Sequence, residues 1–571
     1  MSTDVLAIAT KNATLWTSEL FDTETRAAAQ AMLDAGGDAL IEPFYKDLDF
    51  GTGGMRGIMG VGTNRINPYT LGLATQGLAA YAKGHFEGKS LKAAIAYDSR
   101  NNSKAFARKV AEALSANGVY TYLFEDLRPT PELSFSVREL GCDFGIVLTA
   151  SHNPKEYNGY KVYWNDGGQL VPPHDKAVIE KVRATSFEDI RWDANEALIE
   201  TVGSELDEKY TDMIAGLSLS NAGKNDLNIV FTALHGTSIV SVPPALAKAG
   251  FKNVQLVEAQ STPDGNFPTV ESPNPEESAA LAMAVAQAEA TGADLVIGCD
   301  PDTDRVGIAA NDGTGKMQLL NGNDTAALLV HYILDAYNKN GTLPSKGFTA
   351  ATVVTTDLIA DISAAYGVPC YRCLTGFKWI ADIINHKPSE QFLVGGEESY
   401  GYLIGDAVRD KDAVASAVMI AEMAANAKAK GRTVLQQLEA IHREFGQYQE
   451  RLISITKKGR SGAQEIADMM TALRNDPPKS LAGSPVIIAI DHSNSTQTDL
   501  RTGATSSTEL PASNVLQFIT EAGDKVSARP SGTEPKIKFY FSVRTATGES
   551  HAATKAELER KIDTFIEELN L

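Results

Sequence analysis

Short apolar, β-branched runs, each followed by a polar or glycine-bearing loop and then by a segment of helical periodicity, recur along most of this chain. That alternation restricts it to layered α/β architectures. Residues 91–97 (LKAAIAY), 143–148 (DFGIVL), 228–232 (NIVFT), 294–298 (DLVIG), 350–354 and 391–394 read as strands, and residues 102–117 read as a helix that stops at Gly118. In open α/β sheets ligands gather beyond the carboxyl ends of the strands, so the loops after these runs are candidates for one shared cleft. Beyond residue 455 the pattern changes. Strands are expected at 485–490, 514–519, 525–528 and 537–541, with a closing helix at 553–569, which fits a smaller α+β portion.

With 571 residues the chain is long enough for several domains. Breaks are placed near residue 205, where a helix over 203–217 that leads to a loop begins, in the turn-rich stretch 311–323, and near 446–450, giving expected divisions of 1–205, 206–315, 316–450 and 451–571. Asp and Glu outnumber Lys and Arg by 72 to 52, a formal charge of −20, so nucleic acid and anionic membranes are disfavoured as partners. An anionic small ligand therefore requires a locally basic pocket. Four scattered cysteines fit a reducing compartment rather than a disulfide scaffold. The N-terminus carries no secretory pattern, and the most apolar run, 413–427, is broken by Glu422 and falls short of a span, so a cytoplasmic protein is expected.

The sharpest local chemistry is Asp300-Pro-Asp302-Thr-Asp304-Arg305. If extended, the segment projects its three carboxylates to one side, where they repel unless a cation holds them. A hard ion such as Mg²⁺ suits that oxygen set, with a solvated acidic turn as the alternative for the segment by itself. An EF-hand is excluded, because loop positions 6 and 12 hold Arg305 and Asn311 instead of Gly and Glu.

Ser151 follows an apolar strand in T-A-S-H-N-P, without the flanking glycines of a nucleophile elbow. Alone it suits a turn or helix cap better than a catalytic site, and His152 as the base of a Ser-His pair is disfavoured, because sequence neighbours often point apart. Lys155 and Lys161 add two cations within ten residues. Arg529-Pro-Ser531-Gly532-Thr533-Glu-Pro-Lys536-Ile-Lys538 could offer an Arg fork and backbone N–H groups to a phosphate. Gly51-Thr52-Gly-Gly-Met-Arg56-Gly57 is a second glycine-dense loop, neither a Walker A nor a dinucleotide fingerprint. Glu397, Glu398 and Ser399 suit either a charged turn or acceptors for sugar hydroxyls, while Cys370-x-x-Cys373 lacks a second pair for zinc and reads as ordinary strand cysteines.

Taken in order over nearly the whole chain, T-A-S-H-N-P, D-P-D-T-D-R, G-E-E-S-Y-G and R-P-S-G-T-E-P resemble the α-D-phosphohexomutases. The resemblance implies three related α/β domains with mixed sheets and a C-terminal α+β domain, heart-shaped around a central cleft. It makes Ser151 the phosphorylated serine, with Asp300, Asp302, Asp304 and a phosphoserine oxygen as Mg²⁺ ligands. Arg305 lies beside them, and Lys161 and His152 become proton-transfer candidates. Glu397 and Ser399 match the sugar loop. Arg529, Ser531, Gly532 and Thr533 match the loop holding the non-reacting phosphate, and Thr52, Arg56, Arg100, His235, Lys378 and Lys538 are further substrate-contact candidates.

The activity this implies is interconversion of glucose 1-phosphate and glucose 6-phosphate, with glucose 1,6-bisphosphate as intermediate and activator. The G-E-E-S-Y-G loop resembles the glucose-preferring form, whereas chain length and T-G-F-K-W (375–379) resemble a branch that also contains phosphopentomutases. Pentose and mannose phosphates are the alternative substrates, and a phosphoserine-dependent phosphatase or a silent paralogue the alternative functions. A monomer or homodimer whose last domain hinges over a small phosphosugar is expected.

Overall fold

The structure is a computed structural model that describes residues 3–51, 53–457, 459–531, 536–546, 548 and 550–571, and every structural statement below concerns those residues. They form two compact units, the first comprising residues up to 321 with 377–393 and 399–433, the second 322–376, 394–398 and 434–571.

The first unit contains two sheets built on one plan. Strands β1 (Gly54–Ile58), β2 (Lys92–Tyr97), β3 (Tyr120–Phe124), β4 (Phe144–Leu148), β5 (Tyr157–Trp164) and β6 (Ile199–Val202) lie in the order β1-β5-β4-β2-β3-β6. Strands β7 (Asn228–Thr232), β8 (Asn253–Leu256), β9 (Leu295–Cys299), β10 (Val306–Asn311) and β11 (Met317–Leu320) lie in the order β11-β10-β9-β7-β8. In both, the inner strands are parallel (β2 with β3 and β4; β7 with β8 and β9) and an antiparallel strand follows (β5 on β4; β10 on β9). The inner strands read as near-continuous apolar runs because helices cover both faces, as β4 with all five residues buried illustrates.

The serine loop thus joins β4 to β5, and the acidic loop joins β9 to β10. They occupy equivalent corners of two copies of one supersecondary unit.

Several short strands differ from expectation for identifiable reasons. The glycine-dense segment around Arg56 becomes strand from Gly54 onward, with Gly54 opposite Lys161 and Arg56 opposite Gly159 on β5. Its glycines serve close approach: a Cβ on Gly159 would lie 2.5 Å from the Thr149 carbonyl oxygen. Strand β11 crosses the stretch read as turn-rich, its two central residues exposed at the sheet edge and too short for a clear pattern.

In the second unit, β12 (Gly347–Thr352) pairs in parallel with β13 (Cys370–Cys373), which carries both cysteines of the C-x-x-C as ordinary strand residues. Strand β14 (Gln391–Gly396) leads into the Glu397-Glu398 loop, and β15 (Tyr402–Ile404) follows it in the first unit. The C-terminal portion is a sheet with helices packed on it. Strands β16 (Gln447–Thr456), β17 (Ser480–Leu481), β18 (Ser484–Asp491), β19 (Thr496–Asp499), β20 (Thr505–Ser507), β21 (Leu516–Thr520), β22 (Lys525–Pro530) and β23 (Lys536–Thr545) lie in the order β16-β23-β22-β21-β18-β19-β20, with β17 on β18. Its core gathers Phe518, Phe539, Phe541, Ile562 and Phe565, joining the closing helix His551–Glu568 to the sheet. Among the described residues, no helix is long and apolar enough to cross a membrane.

Candidate active site

Ser151 lies just beyond the end of β4, buried, with φ +51°. A non-glycine residue in the left-handed region is uncommon and needs surrounding structure to hold it. Arg100 supplies much of that support. Its buried guanidinium donates to the carbonyl oxygens of Ser151 (2.6 Å), Pro154 (2.8 Å), Tyr157 (3.0 Å) and Asn153. Asp98 lies beside it, accepting from the Arg100 backbone N–H, Ser103 and Thr149. Sequence reasoning offered Arg100 to the substrate. The structure instead turns its fork onto the serine loop, where it meets the Ser151 and Asn153 carbonyls and adds to the bond that the Tyr157 N–H already makes to the Pro154 carbonyl.

Replacing Arg100 by Met should therefore cost about 3–5 kcal/mol through the stranded Asp98 carboxylate and about 10²-fold in turnover through loss of loop geometry. Arg100→Lys should restore a charge beside Asp98 and recover part of the stability but little of the turnover, since one ammonium cannot serve four divergent carbonyls. Denaturant unfolding and steady-state rates check this.

The left-handed turn also corrects the expectation for His152. Rather than diverging, its Nδ1 lies 3.0 Å from Ser151 Oγ. Loss of hydration and the neighbouring Arg305 and Arg56 guanidinium groups push the imidazole pKa well below its ordinary value, so the ring is neutral near pH 7.

Ser151 Oγ donates to Asp300 Oδ2 at 2.6 Å, across 149 residues of sequence. The three aspartates converge as the sequence implied, but not by strand alternation. The segment is a tight turn with Thr303 at φ +60°, closed by donation from the Asp304 and Arg305 backbone N–H groups to Asp300 Oδ1. An oxygen from each of Asp300, Asp302 and Asp304 lies within 4.8 Å of the others, all three side chains being buried.

Their charges are balanced unequally. Burial would raise Asp304, yet the ammonium groups of Lys161 (3.0 Å) and Lys411 (3.2 Å), with Arg305 nearby, hold its carboxyl far below the ordinary range. Lys161 also donates to Asp302 at 2.6 Å, and Thr130 donates to the same oxygen at 2.9 Å. Asp300 has no ammonium of its own among its contacts, and burial together with the Asp302 and Asp304 charges pushes its pKa well up. Asp302 Oδ1 and Asp304 Oδ1 are buried without hydrogen-bond partners. Orphaned carboxylate oxygens in a compact all-oxygen set fit a hard divalent cation, and these residues are the ones that would hold it.

Other site residues are placed as follows. Arg305 pairs with Glu276, and Arg56, exposed on β1, donates to Asn153 Oδ1 at 2.8 Å. Lys155 is exposed on the serine loop. His235 occupies the loop after β7, with φ +61°, but its ring nitrogens meet the Thr262 carbonyl (3.0 Å) and Thr269 hydroxyl (2.9 Å). The adjacent Thr237 buttresses the acidic turn through the Pro301 carbonyl and Thr303 hydroxyl. Lys378 lies 3.8 Å from Asp175 and over the Trp379 ring.

In the second unit, Glu397 is buried and accepts from the Gly376 N–H at 2.8 Å. Glu398 accepts from Thr355 Oγ1 at 3.1 Å and is pushed up to about 7 by burial and by Glu397 beside it. Arg529 on β22 stands opposite Lys538 on β23, and the Ser531 N–H donates to the Lys536 carbonyl, closing that loop. Ser399, which belongs to the first unit, is half-buried. Thr52, Gly532 and Thr533 lie outside the described residues.

The residue that sequence reasoning missed is Lys411. Its signal was the charged tetrad Arg409-Asp-Lys-Asp412 directly ahead of the apolar run at 413–427, which is the helix Ala413–Ala429 capped by Asp412.

Comparison with known proteins adds to this geometry. Phosphoglucomutase/phosphomannomutase alpha/beta/alpha domains I, II and III match residues 47–189, 208–313 and 321–444 respectively. The chain belongs to the phosphoglucomutase/phosphomannomutase family. It is an enzyme, an isomerase working by phosphoryl transfer. It is 37% identical over 506 residues to the phosphoglucomutase of Staphylococcus haemolyticus (strain JCSC1435), covering 88% of this chain and 91% of that protein. To the phosphoglucomutase of Staphylococcus epidermidis (strain RP62A) it is 36% identical over 530 residues, covering 90% and 96%. The fold is shared with a putative phosphomannomutase from Thermus thermophilus (TM-score 0.69, 20% identity, 92% of this chain and 98% of that one). It is also shared with the open form of parafusin, a phosphoglucomutase from Paramecium (TM-score 0.66, 17% identity, 92% and 96%).

Proposed function

We infer that the protein is a phosphoglucomutase, interconverting glucose 1-phosphate and glucose 6-phosphate through a phosphorylated Ser151 and a glucose 1,6-bisphosphate that reverses its orientation before returning a phosphoryl group. The observation that carries this reading is the contact of Ser151 Oγ with Asp300 within a buried triad of aspartates. A hydroxyl so placed can hold a phosphoryl group beside a cation and pass it on. A Mg²⁺ held by Asp300, Asp302, Asp304 and a phosphoserine oxygen would offset charge on the transferring group.

In the forward transfer, the bond from phosphorus to Ser151 Oγ breaks as a bond to the sugar O6 forms. The O6 proton must leave, and Ser151 Oγ must regain one. Neutral His152, at hydrogen-bond distance from Oγ, is suited to carry the proton on the serine side. Lys161, its pKa raised because Asp302 and Asp304 outweigh its burial, is suited to act as an ammonium, an acid rather than a base. Arg305, oriented by Glu276, adds fixed positive charge.

In the same reading Glu397 and Ser399 hold the central sugar hydroxyls. Arg529, Ser531, Gly532, Thr533 and Lys538 hold the phosphate that does not react, with Thr52, Arg56, His235 and Lys378 as further contacts. The four-part division at 205, 315 and 450 gives each loop its own domain. A cytoplasmic monomer or homodimer acting on a small phosphosugar completes the proposal.

Turnover of glucose 1-phosphate, mannose 1-phosphate and ribose 1-phosphate, measured with glucose 1,6-bisphosphate present, tests the substrate. Glucose 1-phosphate should be preferred, and negligible glucose activity beside rapid ribose or mannose turnover would overturn that choice. Free phosphate released as fast as product would indicate a phosphatase instead.

A further inference from the structure

Strand β5 turns Lys161 and Tyr163, two residues apart, to one face. Lys161 reaches Asp302 and Asp304 directly. Tyr163 reaches the same cluster through two intermediates. Its buried hydroxyl donates to Asp410 Oδ2 at 2.6 Å, and the Gln169 amide donates to that oxygen at 2.9 Å. Asp410 Oδ1 accepts from Lys411 Nζ at 2.9 Å, and the Lys411 ammonium lies 3.2 Å from Asp304 Oδ2. The Lys411 stem is confined from its other side by Gly401, where a Cβ would lie 2.1 Å from Lys411 Cδ.

Both ammonium groups therefore engage the same oxygen of Asp304, Oδ2, and leave Oδ1 without a hydrogen-bond partner. Asp302 is divided in the same way: Thr130 and Lys161 take Oδ2, and Oδ1 is left over. A carboxylate with one oxygen already engaged presents the other singly. Single-oxygen ligands suit Mg²⁺, which demands near-octahedral geometry at about 2.0–2.1 Å and keeps several waters, whereas Ca²⁺ takes about 6–8 oxygens and accepts two from one carboxylate.

We propose that Tyr163 and Asp410 are positioning residues which, through Lys411, hold Asp304 to one-oxygen cation binding and thereby set the site's preference for a small six-coordinate divalent ion over a larger one. This rests on the reading that Asp300, Asp302 and Asp304 hold a divalent cation. It differs from a plain charge effect. An ammonium beside a cation site weakens every divalent ion alike, but an oriented carboxylate changes the ratio between them.

The test is calorimetric titration of MgCl₂ and of CaCl₂ into the full chain and into Tyr163→Phe, Asp410→Asn and Lys411→Met, with melting followed in parallel. The ratio of the Ca²⁺ to the Mg²⁺ dissociation constant should fall about tenfold in Lys411→Met and Asp410→Asn, the scale of losing an outer-shell partner. It should fall less, about threefold, in Tyr163→Phe, where Gln169 still holds Asp410. An unchanged ratio in folded Asp410→Asn and Tyr163→Phe overturns the proposal, as does equal weakening of both ions. Should Asp410→Asn fail to fold, Tyr163→Phe, which keeps the buried ring, decides alone. Absence of Mg²⁺ binding by the unaltered chain, or binding indifferent to Asp302→Ala, would overturn the metal reading itself.

Discussion

Ser151→Ala will abolish mutase turnover, by about 10⁴-fold or more, the scale expected when the group that carries the covalent bond is removed. The substitution deletes a single oxygen that touches Asp300 and His152. Arg100 and Thr149 bind the backbone at 151, not its hydroxyl, so loop and fold are retained. The melting temperature should accordingly stay close to that of the unaltered chain. Incubation with radiolabelled glucose 1,6-bisphosphate should label the unaltered protein and not the variant. Label on Ser151→Ala, or turnover within tenfold of normal, would remove Ser151 from the nucleophilic role.

Chelation of divalent cations is the second large effect: activity should fall by at least about 10³-fold, the scale of losing preorganised charge stabilisation at a transferring phosphoryl group. The fold should survive, because Lys161 and Lys411 continue to neutralise Asp302 and Asp304. Restoring Mg²⁺ to about 100 times its dissociation constant should return activity and stabilise the protein by about 2.7 kcal/mol through binding to the native state alone. A chelated enzyme that keeps its rate would sink the cation reading; one that unfolds would mean that the lysines do not compensate.

How much of this was legible beforehand depended on whether the deciding interaction lay close in sequence. The inner strands β2, β4, β7 and β9 announced themselves because burial on both faces leaves an apolar run. Strand β1 did not, since its glycines answer to the backbone of β5 rather than to any local preference. The acidic segment was recognised as a metal-binding candidate for a partly mistaken reason: a turn through Thr303, not an extended chain, brings the carboxylates together.

The proximity of His152 to Ser151 follows from a left-handed φ that no residue type at that position advertises. Lys411 was out of reach for a different reason. Its partner Asp304 is far away along the chain, and a charged tetrad ahead of a helix looks the same whether it faces solvent or a buried site. Arg100 was noticed as a cation but misplaced, because charge alone does not tell an anion-binding arginine from one that gathers carbonyls.

The equivalence of the serine and acidic corners in two copies of one sheet plan also bears on how the enzyme comes into being. Neither copy contains a working site, for the hydroxyl belongs to one and the carboxylates to the other. Their meeting depends on packing across a long stretch of sequence, through contacts such as Thr130 with Asp302. Non-local contacts of this kind close late, after the loop entropy between them has been overcome. A nascent or partly folded chain thus carries the nucleophile without its cation holder, and is chemically silent until assembly is complete. Regain of activity on refolding consequently requires the joining of the two copies and not merely the formation of each.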